Sequence, residues 1–458
     1  MNVLFLMADE LSWWALGHHD PRIHTAHLDR LAARGMRFDA AYTPSPICVP
    51  TRAAIATGKY VHEIGNWSSA EPYDGATPSW GHVLRDVGID PVSIGKLHYQ
   101  SGDADCGFGT QIAPVHVVDG IGWAQALLRR PVEPYDMTHT LARDIGPGDT
   151  AYLAQDRTVT AAACDWIAAP ARQNAPWCAF VSWLAPHFPL TAPPQDYALY
   201  DPQALARGAQ EVPDHPILRE IAGFFDHDPY FTPESRGIAT ASYFGLCTFL
   251  DRQVGRVLDA LDAAGLTEDT LVVFTADHGE MLGEKGFWTK STMYDSAARV
   301  PLMLAGPGID AGTCATPVSL IDIAPTICGT LGARTSGFSG RDLRRPDPDR
   351  TVLSEYHDGG CSVGVTMVRW GTWKMVHYAE GHAAQLFDMA ADPQEEVDLA
   401  IARPDIIAEG TRRMLALVDP EDANARAHAD QARRIAALGG IDAIRAIPTF
   451  DYTPADSR

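Results

Sequence analysis

The 458-residue chain has fewer basic than acidic residues and no long run of apolar side chains. Lysine and arginine number 36 against 58 aspartates and glutamates, giving a formal net charge of −22. This balance argues against a nucleic-acid-binding protein, because phosphate contacts need clustered cations. No apolar stretch approaches the roughly 20 residues that span a membrane. An anionic small molecule is still an acceptable ligand, because a local basic pocket can form inside an acidic surface.

Cysteine is also sparse. The eight cysteines form no C-x-x-C pair, which argues against a disulfide framework. The N-terminal run Val3–Met7 has no basic leader and is too short for a signal peptide, so we interpret it as a buried strand. These features predict a cytoplasmic protein. The chain shows neither an internal repeat nor a low-complexity linker, and its length predicts two or three domains.

Short apolar runs alternate with amphipathic segments along most of the chain. The strand-like runs are Val3–Met7, Pro91–Ile94, Trp177–Trp183, Leu271–Thr275 and Val300–Leu304. The helical patterns are His27–Arg34, Thr158–Ala168, Arg252–Ala264 and Leu320–Leu331. This alternation predicts the α/β fold class, with a mostly parallel central sheet flanked by helices.

The pattern changes after about residue 350. Four closely spaced short runs predict a smaller C-terminal antiparallel sheet: Thr351–Tyr356, Gly364–Trp370, Trp373–Tyr378 and Gln385–Asp388. The last segment is typical of a helix to about Ile444, with a break at Gly439-Gly440 and extended chain beyond. We therefore expect an α/β domain at 1–350, a sheet-plus-helix subdomain at 351–429 and a tail at 430–458.

Acidic side chains follow two of the predicted strands. Asp9-Glu10 comes after the first strand, and Asp277-His278 comes after Leu271–Thr275. Because parallel strands bring their carboxyl ends to one edge of a sheet, these groups can surround one divalent cation. Their oxygens suit Ca²⁺, Mg²⁺ or Mn²⁺, and the imidazole favours Mn²⁺ among these. Either aspartate alone is typical of a helix cap, but both together with His278 favour a metal site.

Basic side chains follow strand ends as well. Lys96 and His98 are expected on the same side of an extended segment. His187 follows another strand, and Lys290 lies in a loop with two glycines. Each of these residues, taken alone, is typical of a loop residue that is either solvated or packed. Together with Arg52 they have the composition of a pocket for a tetrahedral oxyanion.

Cys48 begins a C-x-P-x-R pattern, in which Arg52 lies one helical turn after the thiol. We expect Pro50 to open a helix at its first position. Free N–H groups and the positive end of the helix dipole at such a start suit an anion. Taken alone, the pattern also fits a structural thiol, although a buried cysteine needs no such neighbours.

These motifs, in this order, resemble the type I sulfatases of the alkaline phosphatase superfamily over nearly the whole chain. The C-x-P-x-R run of Cys48, Pro50 and Arg52 is similar to their signature. Other similar segments are Gly58-Lys59-Tyr60, Gly95–His98, Leu386–Met389, Asp392-Pro393 and Asp398–Ala400. Many relatives have Asp-Asp where this chain has Asp9-Glu10. The Asp277-His278 pair is more similar to choline sulfatases and phosphonate monoester hydrolases.

The resemblance implies an alkaline phosphatase-like fold and a nucleophile made after translation. In this family a formylglycine-generating enzyme oxidises the signature cysteine, and the hydrated aldehyde attacks sulfur, so Cys48 would not act as a thiol. One divalent cation, Ca²⁺ or Mn²⁺, would polarise the nucleophile and the ester oxygen. The implied metal ligands are Asp9, Glu10, the group derived from Cys48, Asp277 and His278.

The resemblance also implies roles for the basic residues. Arg52 and Lys96 would hold the nucleophile and the developing charge. His187 and Lys290 would bind the ester oxygens and assist the departing alcohol. His98 would take a proton from the remaining hydroxyl and so release sulfate.

Two further expectations come from the same resemblance. Asn66 is similar to an asparagine that lines the oxyanion site in some relatives. The tail at 430–458 is similar to segments that bacterial relatives use in subunit packing, so we expect a homo-oligomer.

Three functions remain open from the sequence. Sulfate monoester hydrolysis is favoured by the complete signature. Phosphonate monoester or phosphodiester hydrolysis would use the same nucleophile and metal site. A non-enzymatic anion- or metal-binding protein would keep Cys48 as a thiol.

The organic part of the ester is equally open, with a choline-type headgroup, an aryl group and a sugar all compatible with the sequence. Five aromatic residues near the predicted site loops form either an apolar or cation-binding wall or ordinary core packing: Trp13, Trp14, Trp67, Tyr73 and Trp288.

Overall fold

The computed structural model describes residues 1–173, 175–450 and 452–455. Sixteen strands lie within these residues: β1 Asn2–Asp9, β2 Met36–Phe38, β3 Ala41–Tyr42, β4 Val92–Lys96, β5 Thr110–Val115, β6 Ile145–Pro147, β7 Cys178–Pro186, β8 Leu190–Ala192, β9 Thr270–Ala276, β10 Leu302–Ala305, β11 Gly312–Cys314, β12 Val318–Ser319, β13 Thr351–Tyr356, β14 Val365–Trp370, β15 Trp373–Tyr378 and β16 Gln385–Asp388.

The same ranges contain fourteen α-helices: α1 Ala26–Arg34, α2 Cys48–Thr57, α3 Val61–Ile64, α4 Trp80–Arg85, α5 Thr140–Arg143, α6 Ala151–Ala168, α7 Pro194–Tyr197, α8 Pro216–Phe225, α9 Pro233–Ala263, α10 Asp295–Ala298, α11 Ile323–Thr330, α12 Pro404–Leu415, α13 Pro420–Ala437 and α14 Ile441–Ala446. Within these described ranges, none of the helices combines the length and the apolar composition that a membrane crossing requires.

Eight strands form the central sheet, in the order β11-β2-β10-β9-β1-β7-β4-β5. Neighbours from β9 to β5 are parallel, whereas β10 runs antiparallel to β9 and β2. Strands β1, β7 and β9 are buried along their whole length, as expected for a parallel sheet covered on both faces. Helices α6 and α9 pack against β7, and α11 packs against β1. The predicted mostly parallel α/β sheet is confirmed.

Three predicted helices have different bounds in the structure. The pattern at Thr158–Ala168 is the last part of the 18-residue α6. The pattern at Arg252–Ala264 is the last part of the 31-residue α9. Most of α9 is buried from Arg236 to Leu261, and a helix buried around its circumference lacks the polar stripe that marks a helix in the sequence. The segment Leu320–Leu331 divides into a one-turn 3₁₀ helix, Leu320–Asp322, followed by α11.

The second sheet has the strand order β13-β14-β15-β16 and is antiparallel throughout, which confirms the predicted C-terminal sheet. It packs on the larger part of the chain, because Tyr42 and Met281 share a hydrophobic cluster with Val352 and Val365. The division of the chain at 350 and 429 stays a prediction.

The C-terminal segment folds back over the same chain. Helices α13 and α14 are separated at Gly439 and Gly440, whose φ angles of +95° and +94° end the first helix, as predicted. Ile444 of α14 then packs with Ala124 and Leu127. The predicted tail at 430–458 includes residues 451 and 456–458, which lie outside the described residues.

Candidate active site

Four neighbouring strands of the central sheet, in the order β9-β1-β7-β4, end at the same edge. Asp277 and His278 follow β9, and Asp9 and Glu10 lie at the end of β1. His187 follows β7, and Lys96 is the last residue of β4. The parallel pairing therefore brings the predicted acidic and basic side chains to one place.

The backbone conformation at the end of β4 requires a glycine. Gly95 has a φ of +97°, and a Cβ at this position would collide with the carbonyl oxygen of Ser182 on β7. The chain then turns, because the amides of Leu97 and His98 both donate to the carbonyl of Val115, at 3.1 and 2.9 Å. His98 has a φ of +60°, so the predicted extended segment from Lys96 to His98 is wrong. Both side chains nevertheless line the same cavity.

Cys48 is the first residue of α2, with Ile47 as the N-cap. The helix begins two residues earlier than predicted, and Pro50 is its third residue. Pro50 still lacks only an N–H that forms no bond within the helix. The Thr51 hydroxyl holds the preceding loop through the carbonyl of Ser45 and, at 2.7 Å, the hydroxyl of Thr43.

The Cys48 side chain faces the cavity but is only 6% exposed. Burial raises the pKa of its thiol to about 11. An unmodified Cys48 would therefore be protonated at neutral pH, and a thiol is a much weaker nucleophile than a thiolate.

Asp9, Asp277 and His278 form a compact group, with ligand atoms all within 4.8 Å of one another. The His278 Nδ1–H donates to the carbonyl of Gly279 at 3.0 Å, which leaves a lone pair on Nε2. That nitrogen lies 3.7 Å from Asp9 Oδ1 and 3.8 Å from Asp277 Oδ1. Within the described part of the chain, neither Nε2 nor Asp9 Oδ1 has a hydrogen-bond partner, although both are buried. The donor set fits a divalent cation, since a metal-binding histidine usually donates its other N–H to a backbone carbonyl.

Glu10 belongs to a second group, with Asp9 and His187. Its Oε2 accepts a hydrogen bond from Lys290 Nζ at 2.9 Å and lies 3.2 Å from His187 Nε2. Burial raises the pKa of Glu10 well above its usual range, although the charge of Lys290 opposes this effect. Ligation of the metal by Glu10 stays a prediction.

Arg52 is buried and forms hydrogen bonds with residues that lie in or directly after three strands. Its Nε donates to Asp277 Oδ2 at 2.8 Å, and Nη1 donates to the Lys96 carbonyl at 2.9 Å and to Ser182 Oγ at 3.1 Å. Lys96 Nζ in turn donates to Asp9. Burial alone would raise the pKa of Asp9, but the charges around it, Lys96 foremost, hold that pKa well below its usual value.

His187 and Lys290 form a hydrogen-bonded pair. The His187 Nδ1–H donates to the Phe188 carbonyl at 2.7 Å, so Nε2 can accept from Lys290 Nζ, also at 2.7 Å. Burial, with the charge of Lys290, lowers the pKa of His187 well below its usual value. Burial opposes the charged form of Lys290, but the acidic groups around it, Glu10 first among them, together raise the Lys290 pKa. The pair therefore consists of a neutral His187 imidazole and a charged Lys290 ammonium group.

The cavity has a volume of about 120 Å³. Its polar lining includes Cys48, Lys96, His98, His187 and Lys290. Its aromatic lining consists of Trp123, Tyr135, Tyr152, Phe188, Phe225, Phe450 and Tyr452. The site therefore combines a polar anchor for an oxyanion with an apolar wall for the rest of a substrate.

The sequence did not identify this aromatic wall. Trp67, Tyr73 and Trp288 are core residues, and Trp13 and Trp14 line a separate cavity of about 620 Å³. The wall residues come from segments far apart in the chain with no shared periodicity, so the sequence carries no signal that groups them.

Asn66 is also absent from the described lining of the cavity. Its side-chain amide donates to the Glu71 carbonyl at 2.9 Å. A role for Asn66 in substrate binding stays a prediction.

Known proteins are similar to this chain in sequence and in fold. A family model named "Sulfatase" matches residues 1–333. Choline-sulfatase of Rhizobium meliloti (strain 1021) is 32% identical over 426 residues, which cover 87% of this chain and 82% of that protein. Arylsulfatase K of Homo sapiens is 26% identical over 473 residues, covering 93% and 84% of the two chains. The solved phosphonate monoester hydrolase of Silicibacter pomeroyi has a TM-score of 0.70 at 25% identity, covering 91% of this chain and 96% of its own. The chain therefore belongs to the sulfatase family.

Proposed function

We propose that this protein hydrolyses sulfate monoesters, using a formylglycine formed from Cys48 and one divalent cation. The observation that carries the proposal is a single cavity in which Cys48 meets four basic side chains: Lys96, His98, His187 and Lys290. The group of side chains that fits a divalent cation lies at the same sheet edge and consists of Asp9, Asp277 and His278. Such a combination suits a tetrahedral monoanion and a nucleophile at its centre.

Asp9, Asp277 and His278 would hold the cation, either Ca²⁺ or Mn²⁺, with Glu10 and residue 48 as further ligands. When bound, the cation would act as a Lewis acid on the ester oxygen and lower the pKa of the attacking hydroxyl. The hydrated aldehyde would supply a nucleophile that releases its sulfate without attack by water. A formylglycine-generating enzyme is then the required maturation partner.

The chain's own residues perform the proton transfers. Lys290 is charged and donates to His187 Nε2, so this pair can bind ester oxygens and pass a proton to the departing alcohol. Burial, with the nearby charge of Lys96, lowers the pKa of His98 well below its usual value. His98 is therefore neutral and able to accept a proton in the second half of the cycle.

The hypothesis of a non-enzymatic binding protein that keeps Cys48 as a thiol has less support. With a pKa of about 11, the thiol is neither a strong nucleophile nor a ready metal ligand at neutral pH. Oxidation to the aldehyde gives the site a different chemistry, since a geminal diol carries one hydroxyl that can attack and a second whose proton can be removed to release sulfate.

Phosphonate monoester hydrolysis is the second candidate. It is favoured by the Asp277-His278 pair and by the similarity to the solved phosphonate monoester hydrolase. Sulfate esters and phosphonate monoesters are both monoanionic and tetrahedral, so the same cavity suits both.

The kcat/KM values for p-nitrophenyl sulfate and p-nitrophenyl phenylphosphonate, measured on metal-loaded protein with verified Cys48 conversion, separate the two candidates. The leaving group is the same, so the ratio reports the preferred central atom. We expect sulfate to lead by roughly tenfold or more, about 1.4 kcal/mol of differential transition-state stabilisation. A lead of that size for the phosphonate would replace the sulfatase assignment by phosphonate hydrolysis.

Two further properties stay predictions. A cytoplasmic location is tested by fractionation of the cells that make the protein. A homo-oligomer is tested by light scattering of the purified chain.

A further inference from the structure

The C-terminal segment contributes to the lining of the cavity. Phe450, Tyr452 and Thr453 all line it. The hydroxyl of Tyr152 on α6 donates to the carbonyl of Thr453 at 2.6 Å, and the rings of Tyr152 and Tyr452 meet edge to face with centroids 5.0 Å apart. The Tyr452 ring also lies 6.4 Å from that of Phe188. These contacts, all within one chain, therefore hold Thr453 at the cavity.

Thr453 makes a specific contact with the site. Its Oγ1 lies 2.8 Å from Nε2 of His98. Within the described residues, the other ring nitrogen, Nδ1, is buried and has no hydrogen-bond partner. Among the described residues, this hydroxyl from the C-terminal segment is thus the one hydrogen-bond partner of the His98 ring.

We propose that Thr453 is a positioning residue for His98, accepting its Nε2–H and so keeping the lone pair on Nδ1. This inference rests on the proposed function, in which His98 acts after the alcohol has left. His98 Nδ1 then takes the proton of the free hydroxyl on the residue 48 side chain. The O–H electron pair forms the carbonyl, and the C–O bond to sulfate breaks with its electron pair going to sulfate. His98 later gives the proton to water.

The first test is the ring tautomer of His98, read from ¹⁵N-labelled histidine spectra of protein with unmodified Cys48. A His98→Asn variant assigns the signals. We expect the Nε2–H tautomer in the wild type and in Thr453→Ser, which keeps the hydroxyl. Thr453→Val, of similar shape, should lose this tautomer as the dominant form. An Nδ1–H tautomer in the wild type, or no change in Thr453→Val, would overturn the proposal.

The second test is turnover by converted, metal-loaded enzyme. Because His98 acts after alcohol release, Thr453→Val should lower kcat and KM together by about tenfold and leave kcat/KM nearly unchanged. Thr453→Ser should resemble the wild type. A fall in kcat/KM in both variants would show that the tail shapes the substrate pocket and does not position His98. If the wild type hydrolyses no ester, only the proposed function is rejected. The tautomer measurement would still show whether Thr453 positions the His98 ring.

Discussion

Replacement of Cys48 by alanine will abolish sulfate ester hydrolysis and leave the fold intact. The change removes the thiol group whose oxidation makes the aldehyde, while the methyl group of alanine still fills most of the buried position. We expect the rate to fall by at least about 10⁴-fold, as when other enzymes lose their nucleophile. The rate is measured on metal-loaded protein, and folding is checked by the melting temperature.

Cys328→Ala is the matched control. Cys328 is also buried, but its Sγ lies 3.8 Å from the Trp80 carbonyl in the core, apart from the residues that line the cavity. Both variants should lose a similar stability, on the order of 1 kcal/mol, while only Cys48→Ala loses activity. Turnover by Cys48→Ala within a few-fold of the wild type would contradict the proposed nucleophile.

Asp277→Asn will lower metal content and rate together. The carboxylate accepts hydrogen bonds from Arg52 and from the amides of Glu10 and His278, at 2.8, 3.1 and 3.0 Å. The amide of asparagine keeps the shape but loses the negative charge that a divalent cation needs. We expect metal affinity to fall by at least about 100-fold, with a matching loss of rate at limiting metal. Bound metal is measured by elemental analysis after gel filtration.

Asp295→Asn separates this effect from general destabilisation. Asp295 is a buried carboxylate that accepts from Lys374 Nζ at 2.8 Å and from the Tyr42 hydroxyl at 3.1 Å. Neutralising it leaves Lys374 with one carboxylate partner fewer, so this variant should melt earlier and still bind metal with full stoichiometry. An Asp277→Asn protein that is inactive but fully metal-loaded would reject Asp277 as a ligand.

The parts of the fold that the sequence predicts are those set by short-range patterns. Runs such as Leu271–Thr275 are continuous and apolar because both faces of the central strands are buried. Once the strands are known, the rule that parallel strands share a carboxyl edge brings Asp9, Asp277 and Lys96 together. The rule does not place Arg52, which lies on α2, or Lys290, which lies in a loop.

The rest depends on tertiary contacts that leave no local pattern. The turn at His98 arises because two successive amides share the Val115 carbonyl. Trp123 and Tyr452 meet at the cavity across more than three hundred residues of chain. The start of α2 at Cys48 was missed because the proline rule marks the first turn of a helix, and Pro50 occupies the third position of that turn.

The most direct test of the central claim is the dependence of sulfate ester turnover on Cys48 conversion. Preparations with different degrees of co-expression of the maturation enzyme provide a graded series. Peptide mass spectrometry gives the fraction of formylglycine, and the same samples give the rate per molecule at saturating metal. The proposed mechanism predicts a straight line through the origin. Substantial turnover at zero conversion, or a rate independent of conversion, would contradict it.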